Sequence, residues 1–384
     1  MNERIYDYWA ATLQNGYIGN LIDIVQRAGG ARVLYEMSEE KMLSELGLGK
    51  KLAAHFTAGK EDINILEKQY HEMYAKGIYY VNHTDTDFPD KLKDIPASPY
   101  GLFVKGALPD SLTPSVAVVG ARECSEYGRL MAQYFADRLA RKEVQIISGM
   151  AWGIDGIAQE AAIDAGGRSF AVLGCGVDTP YPSKNRQLYN RLCVDGNGVI
   201  SEYAPGTPAI AKNFPPRNRI ISGLCDVLIV VEARAKSGTL ITVDMATDQG
   251  KCVMIVPGRL TDNLSVGCLN LLYQGALPAT SIESVLEQLG PGKSVRVKPD
   301  GKTAKRTKAY GWDLTPITKP VRDIPEETKK VAGLLTIEPQ SIEAIAHRAD
   351  MSADTVMIML TKLEMEGIAR ETWPGYFIRE PELA

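Results

Sequence analysis

Five short apolar runs, residues 116–119, 144–147, 170–173, 227–231 and 252–256, recur along the middle of this chain. Helix-like stretches at 127–141, 154–165, 185–192 and 240–249 separate them. Runs this short and this continuously apolar fit strands buried on both faces, because a strand with one wet face alternates instead. Strand–helix alternation then demands a mostly parallel, doubly wound sheet with helices on both sides. The reading is an α/β core over residues 77–290.

The flanks differ. Residues 1–76 are predicted to be helical: Leu21, Ile24, Val25 and Ala28 recur at helical spacing, and Gly29-Gly30 ends the pattern. Within this region, 43–51 with Gly47 and Gly49 before Lys50-Lys51 fits a helix-hairpin-helix turn, and equally a helix C-cap beside two solvated lysines. Residues 291–325 hold five prolines and a basic run, Lys293, Arg296, Lys298, Lys302, Lys305, Arg306 and Lys308, which argue for a linker. It serves either as a solvated spacer or as an electrostatic tether. Residues 326–384 read as a winged helix, with Ser341 and Ser352 as N-caps and a hairpin turning at Trp373-Pro374-Gly375. The second helix of that unit carries Asp354, Glu364 and Glu366 against Lys362. Such a charge balance opposes insertion among phosphates and favours a protein contact.

Of the 384 residues 45% are apolar and 23% charged, and the net charge is −4, so any anion site must be a local patch. No apolar run approaches the ~18 residues of a membrane span. The N-terminus is charged rather than leader-like, which predicts a cytoplasmic protein. The six cysteines form no C-x-x-C pair, and reduced packing thiols are expected.

Ligands of open parallel sheets bind beyond the carboxyl ends of the strands. There the chain places Gly120-Ala121-Arg122, the run from Ser148-Gly149 to Gly156, Gly174-Cys175-Gly176 with Lys184-Asn185 beyond it, and Ser237-Gly238-Thr239 opening a helix. Small residues at helix starts expose backbone N–H groups to an anion. Arg122, Lys184, Lys212, Arg217 and Arg219 offer matching charge. The segment 213–223 holds Phe214, two prolines, Arg217, Asn218 and Arg219. Read as a proline-stiffened turn, it sets an aromatic face beside cations, a platform on which a base stacks; the alternative is a Phe214 turned into the core. Neither a G-x-G-x-x-G fingerprint nor a P-loop is present, so no cofactor is expected. None of the four histidines lies in the glycine loops. Asp155, Asp178, Glu202 and Glu232 are expected to cap helices or pair with arginines rather than catalyse.

In order, Gly120-Ala121-Arg122, 148–155, 171–178 with Tyr181-Pro182 and Asn185, 201–203, 205–207, 213–223, 231–233, 237–242 and 256–258 resemble the DNA-processing protein A (DprA/Smf) family over roughly residues 80–280. The resemblance implies a helical N-terminal domain of SAM or helix-hairpin-helix type, an extended Rossmann-like core and a winged-helix tail. It implies a non-enzymatic protein that binds and protects incoming single-stranded DNA, forms a homodimer through the core, and loads the RecA recombinase in natural transformation. The implied DNA pocket is Arg122, Lys184, Phe214, Arg217 and Arg219, with Lys212 a looser match. The residue reading adds Gly120, Ser148, Gly149, Asn185, Asn218, Ser237, Gly238 and Thr239. Three positions depart from the family's pattern: Trp152 where a charge is frequent, Gln159 where histidine is frequent, and Leu269 lengthening the block at 267–270. The core also resembles a superfamily that cleaves N-glycosidic bonds of nucleotides, which keeps a nucleotide-binding protein or hydrolase as the alternative. Thr242 occupies the position where that superfamily has its glutamate.

Overall fold

A computed structural model describes residues 3–14, 20–289, 325–336 and 338–379. The chain divides into two compact units, Met1–Lys302 and Thr303–Ala384. The basic stretch 291–324 lies outside the described residues.

The first unit is built on a nine-stranded sheet: β1 Ile78–Asn82, β2 Gly101–Gly106, β3 Ser115–Val119, β4 Gln145–Ser148, β5 Ser169–Val172, β6 Gly198–Ser201, β7 Val227–Val230, β8 Cys252–Ile255 and β9 Leu277–Pro278. Their order is β1-β2-β6-β5-β4-β3-β7-β8-β9. From β6 to β9 all neighbours run parallel, whereas β1 and β2 add an antiparallel edge. The five runs expected from sequence are β3, β4, β5, β7 and β8. Strands β1, β2, β6 and β9 are not among those expected: β1 and β2 form an antiparallel edge, β9 has two residues, and the four-residue β6 is short and begins with glycine.

Every residue of β3, β4, β5, β6 and β7 is buried. Each buried Val, Leu or Ile contributes about 1.5–3 kcal/mol. Successive residues point to opposite faces. Phe170 and Val172 pack with Ile220, Leu224, Val243 and Ala246 on one side. Ala171 and Leu173 pack on the other, in a core shared with the N-terminal helices.

Among the described residues six helices, Glu3–Leu13, Leu21–Ala28, Ala31–Glu36, Glu39–Ser44, Lys50–Ala58 and Ile63–Ala75, make up that N-terminal layer. Leu21, Ile24, Val25 and Ala28 are buried as their spacing requires, and Gly29 closes the helix in the left-handed region at φ 85°. Trp9 is fully buried and donates from Nε1 to the Gly59 carbonyl at 2.8 Å. Gly47 and Gly49 lie between the helices Glu39–Ser44 and Lys50–Ala58, with Lys50 and Lys51 exposed.

One segment differs from expectation. Phe214–Leu224 is an α-helix, not a turn, and Pro215 and Pro216 sit in its first turn. The N–H groups of a first turn have no intrahelical acceptor, so proline loses nothing there and its fixed φ suits the helix.

In the second unit, helices Glu326–Leu334, Ile342–Ala349 and Ala353–Met365 pack beside a three-stranded sheet, β10 Gln340–Ser341, β11 Ala369–Trp373 and β12 Tyr376–Arg379, in the order β10-β12-β11. Ser341 and Ser352 cap their helices by accepting from Ala344 N–H and Thr355 N–H. This is a winged helix. Asp354, Lys362, Glu364 and Glu366 are all exposed, on or just past the helix Ala353–Met365.

A cationic groove at the switch point of the sheet

After β3 the chain adds strands on one side as far as β6, then returns to the other side of β3 with β7. The crevice between β3 and β7 is therefore the topological switch point, where the loops leaving the strands part and leave room for a ligand. A groove of about 620 Å³ opens there. Its walls include Gly120, Arg122, Phe214, Arg217, Asn218, Ser237, Gly238 and Thr239. These eight are sequence candidates brought together by the fold.

The β3 loop is held by close approach. A Cβ on Gly120 would meet the Ile154 side chain at 2.7 Å. Arg122 extends from this loop and is exposed. Across the groove, Ser237 Oγ accepts from Thr239 N–H at 3.2 Å and caps the helix Gly238–Asp248. Thr239 Oγ1 donates to the Gly120 carbonyl at 3.2 Å, tying this helix start to the β3 loop.

Phe214 is half-buried and lines the groove, so its side chain is not turned into the core. The ring lies on the Gly174 backbone, 3.0 Å from where a Cβ would stand. Tyr181 packs against it with centroids 5.5 Å apart. The Arg122 and Arg217 guanidinium carbons lie 5.9 and 5.6 Å from its centroid.

The two arginines of the helix Phe214–Leu224 are held by the protein itself. Arg219 is directed away from the groove: its Nη1 and Nη2 meet Glu202 Oε1 and Oε2 at 2.8 and 2.6 Å, and its Nε donates to the Ala97 carbonyl. A charge this buried must be paired, and the pair occupies its fork. Arg217 lines the groove floor yet is only 4% exposed. It donates to the Gly149 and Val172 carbonyls and, from Nε, to Asn218 Oδ1 at 3.2 Å. Arg217 thus ties off the ends of β4 and β5 and lends charge to the floor, rather than offering a free fork to phosphate. Burial pulls its guanidinium down to about 10, opposed chiefly by Asp155, so it remains cationic at neutral pH. Burial raises Asp155 above the usual carboxylate range, against the pull of Arg217 and the Gly149 N–H.

Ser148, Gly149 and Asn185 form scaffold. Ser148 Oγ donates to the Val118 carbonyl at 2.6 Å, and Gly149 N–H donates to Asp155 Oδ2 at 3.1 Å. Asn185 Nδ2 donates to the Met150 and Ala151 carbonyls at 3.0 and 3.2 Å. Lys184 lies outside the groove wall with its ammonium 5.1 Å from the Trp152 centroid. Lys212 is exposed on the short turn Ala211–Asn213, next to Ala211 in the groove wall.

The carboxylates have structural partners. Asp178 accepts from Gly206 N–H at 2.8 Å, and Glu232 accepts from Ser125 N–H at 3.0 Å and from the Ser125 hydroxyl. Thr242 lies in the groove wall. Among the described residues no cluster of His, Cys, Asp and Glu is arranged to hold a metal ion.

Sequence reasoning missed Tyr181, Arg234 and Lys236, which also line the groove. Arg234 and Lys236 follow β7 directly, so the strand-end rule that selected the other loops would have found them. Arg234 lies 3.6 Å from Glu123, with both side chains largely exposed.

Residues 79–290 match the family described as DNA recombination-mediator protein A, and residues 316–372 match the DprA winged helix domain. The chain is 42% identical over 204 residues to DNA processing protein DprA of Streptococcus pneumoniae, covering 53% of this chain and 72% of that protein. It is 36% identical to Protein Smf of Escherichia coli over 77% of this chain and 76% of that one. The X-ray structure of DNA processing protein A from Streptococcus pneumoniae superposes with a TM-score of 0.63 at 34% identity, over 75% of this chain and 97% of that chain.

Proposed function

The chain belongs to the DNA recombination-mediator protein A family, and from that premise we propose that it binds single-stranded DNA in the groove between β3 and β7 and acts in DNA processing during transformation. The observation that carries this reading is that exposed Arg122, Arg234 and Lys236 line one groove together with the half-buried ring of Phe214. Cations neutralise phosphates and an aromatic face takes a base, the combination that single-strand binding uses. The N–H groups at the start of Gly238–Asp248 add an electropositive helix end. Arg122, Phe214, Asn218 and Ser237-Gly238-Thr239 are the proposed direct contacts, Lys212 and Lys184 the outlying cations, and Arg217 the charged floor.

The proposed role is non-enzymatic: it protects the incoming strand and passes it to a RecA-type recombinase, as a cytoplasmic homodimer formed through the core. Family membership supports these last points. No helix among the described residues is long and apolar enough to cross a membrane. The alternative, a nucleotide N-glycosidic hydrolase, would need a groove carboxylate placed for proton transfer. Asp155 is held by Gly149 N–H, the exposed Glu123 in the groove wall lies 3.6 Å from Arg234, and Thr242 stands at the superfamily's glutamate position.

A salt-dependent titration with single- and double-stranded oligonucleotides tests the proposal. The expected result is preferential single-strand binding that weakens steeply with salt and is nearly indifferent to sequence. Absence of single-strand binding, or release of free base from nucleoside monophosphates, would overturn it.

A further inference from the structure

Trp152 stands 50% exposed on the loop leaving β4. Its backbone is held from both sides. Asn185 grips the Met150 and Ala151 carbonyls, and Ile154 N–H donates to the Ala121 carbonyl at 3.2 Å. Gly153, at φ 85°, presses so close to the Arg122 carbonyl that a Cβ would collide with it. The loop is thus fixed to the Arg122 loop on one side and to the 183–185 turn on the other. From that turn Lys184 sets its ammonium 5.1 Å from the indole centroid. Three residues before Lys184, Tyr181 is 41% exposed and packs against Phe214.

A large aromatic held on a clamped loop, exposed, and joined by one short segment to the groove's aromatic pair is a preorganised surface. Such a surface binds without the ordering cost that a mobile side chain would add. The indole has the largest face of any side chain for a base, and a neighbouring ammonium both strengthens the stack and meets the adjoining phosphate.

We propose that Trp152 and Lys184 form a second stacking subsite, taking a base of the same bound strand outside the Phe214–Tyr181 step. The strand then runs from the β3–β7 groove outward over the loops after β4 and β5. This inference rests on the single-strand reading above and adds a ligand position to it.

The test compares wild type, Trp152→Ala and Trp152→Phe in titrations with oligothymidylates of increasing length at several salt concentrations. Trp152→Ala is expected to weaken binding of the longer strands by about tenfold, the size of one base stack, while sparing the shortest. Its salt slope should stay unchanged, because every phosphate-neutralising cation is still present. Trp152→Phe should retain most of the affinity. Unchanged affinity of Trp152→Ala at every length, with wild type binding normally, overturns the subsite alone. A wild type that binds no single strand overturns the proposed function as well. Because Trp152 is exposed, unchanged thermal unfolding of the alanine variant serves as the folding control.

Discussion

Arg219 and Glu202 form a two-pronged ion pair, 2.8 and 2.6 Å, with the carboxylate fully buried. Glu202 also accepts from Gln14 Nε2 at 3.2 Å, so the pair joins the helix Phe214–Leu224 to the N-terminal layer. Removing one partner strands a buried charge. Arg219→Met is expected to cost about 3–5 kcal/mol of folding stability in urea unfolding. At temperatures where the variant is folded, its oligonucleotide affinity should match wild type; a selective loss of binding would return Arg219 to the groove.

Arg122 behaves oppositely. Its side chain is exposed at the groove, so Arg122→Ala should leave the melting temperature nearly unchanged. Single-strand affinity should fall, and the salt slope should flatten by about 0.7 for each phosphate that is no longer neutralised. Lys236→Ala should act in the same direction. A salt series on each variant checks this, and unchanged slopes in both would place the phosphates elsewhere.

Phe214→Ala separates stacking from packing. The ring is half-buried on Gly174 and is not a member of either of the two cores that contain β5 side chains. Binding should weaken by about 1–3 kcal/mol, as for one base stack. A protein that unfolds instead would show the ring acting as core.

Gly153 is required by geometry. At φ 85° and ψ −136° an L-residue costs about 1–3 kcal/mol, and the Arg122 carbonyl oxygen lies 2.3 Å from the Cβ position. Gly153→Ala should lower the melting temperature and also weaken oligonucleotide binding, because the Arg122 loop must shift. Unchanged affinity in a folded variant would separate the two loops.

His83 gives a pH dependence with a defined sign. Burial lowers its imidazole below the ordinary value of 6.5. Asp7 and Asp85 pull the other way, and Lys93 adds to the lowering. The unfolded chain therefore binds the proton more readily than the folded one. This contribution is present above 6.5 and is lost as pH falls through the folded value. Melting temperature measured from neutral to acidic pH should fall more in wild type than in His83→Gln. Parallel profiles would refute the shift.

Much of the core is legible in the sequence. The five apolar runs became central strands, and Ser237 and the serines of the tail became caps, because burial and capping follow local residue type. The antiparallel edge strands β1 and β2 and the buried β6 were not legible, since their pairing depends on partners distant in sequence. Arg234 and Lys236 were legible in principle, since they follow β7 as the other loop residues follow their strands, and the fold brings them to the groove.

The segment 213–223 divides the two sources of information most sharply. Its sequence determined that an aromatic and several cations stand near the strand ends of an α/β sheet, because composition and order fix which residues the loops carry. Only the tertiary structure decided which of them face the groove. On a helix each residue turns about 100°, so Phe214 and Arg217, three apart, share a side, while Arg219 is turned about 200° from Arg217. That rotation sends Arg219 to Glu202, and the buried ends of β4 and β5 claim Arg217, which leaves Arg122, Arg234 and Lys236 as exposed cations in the groove wall they share with Phe214.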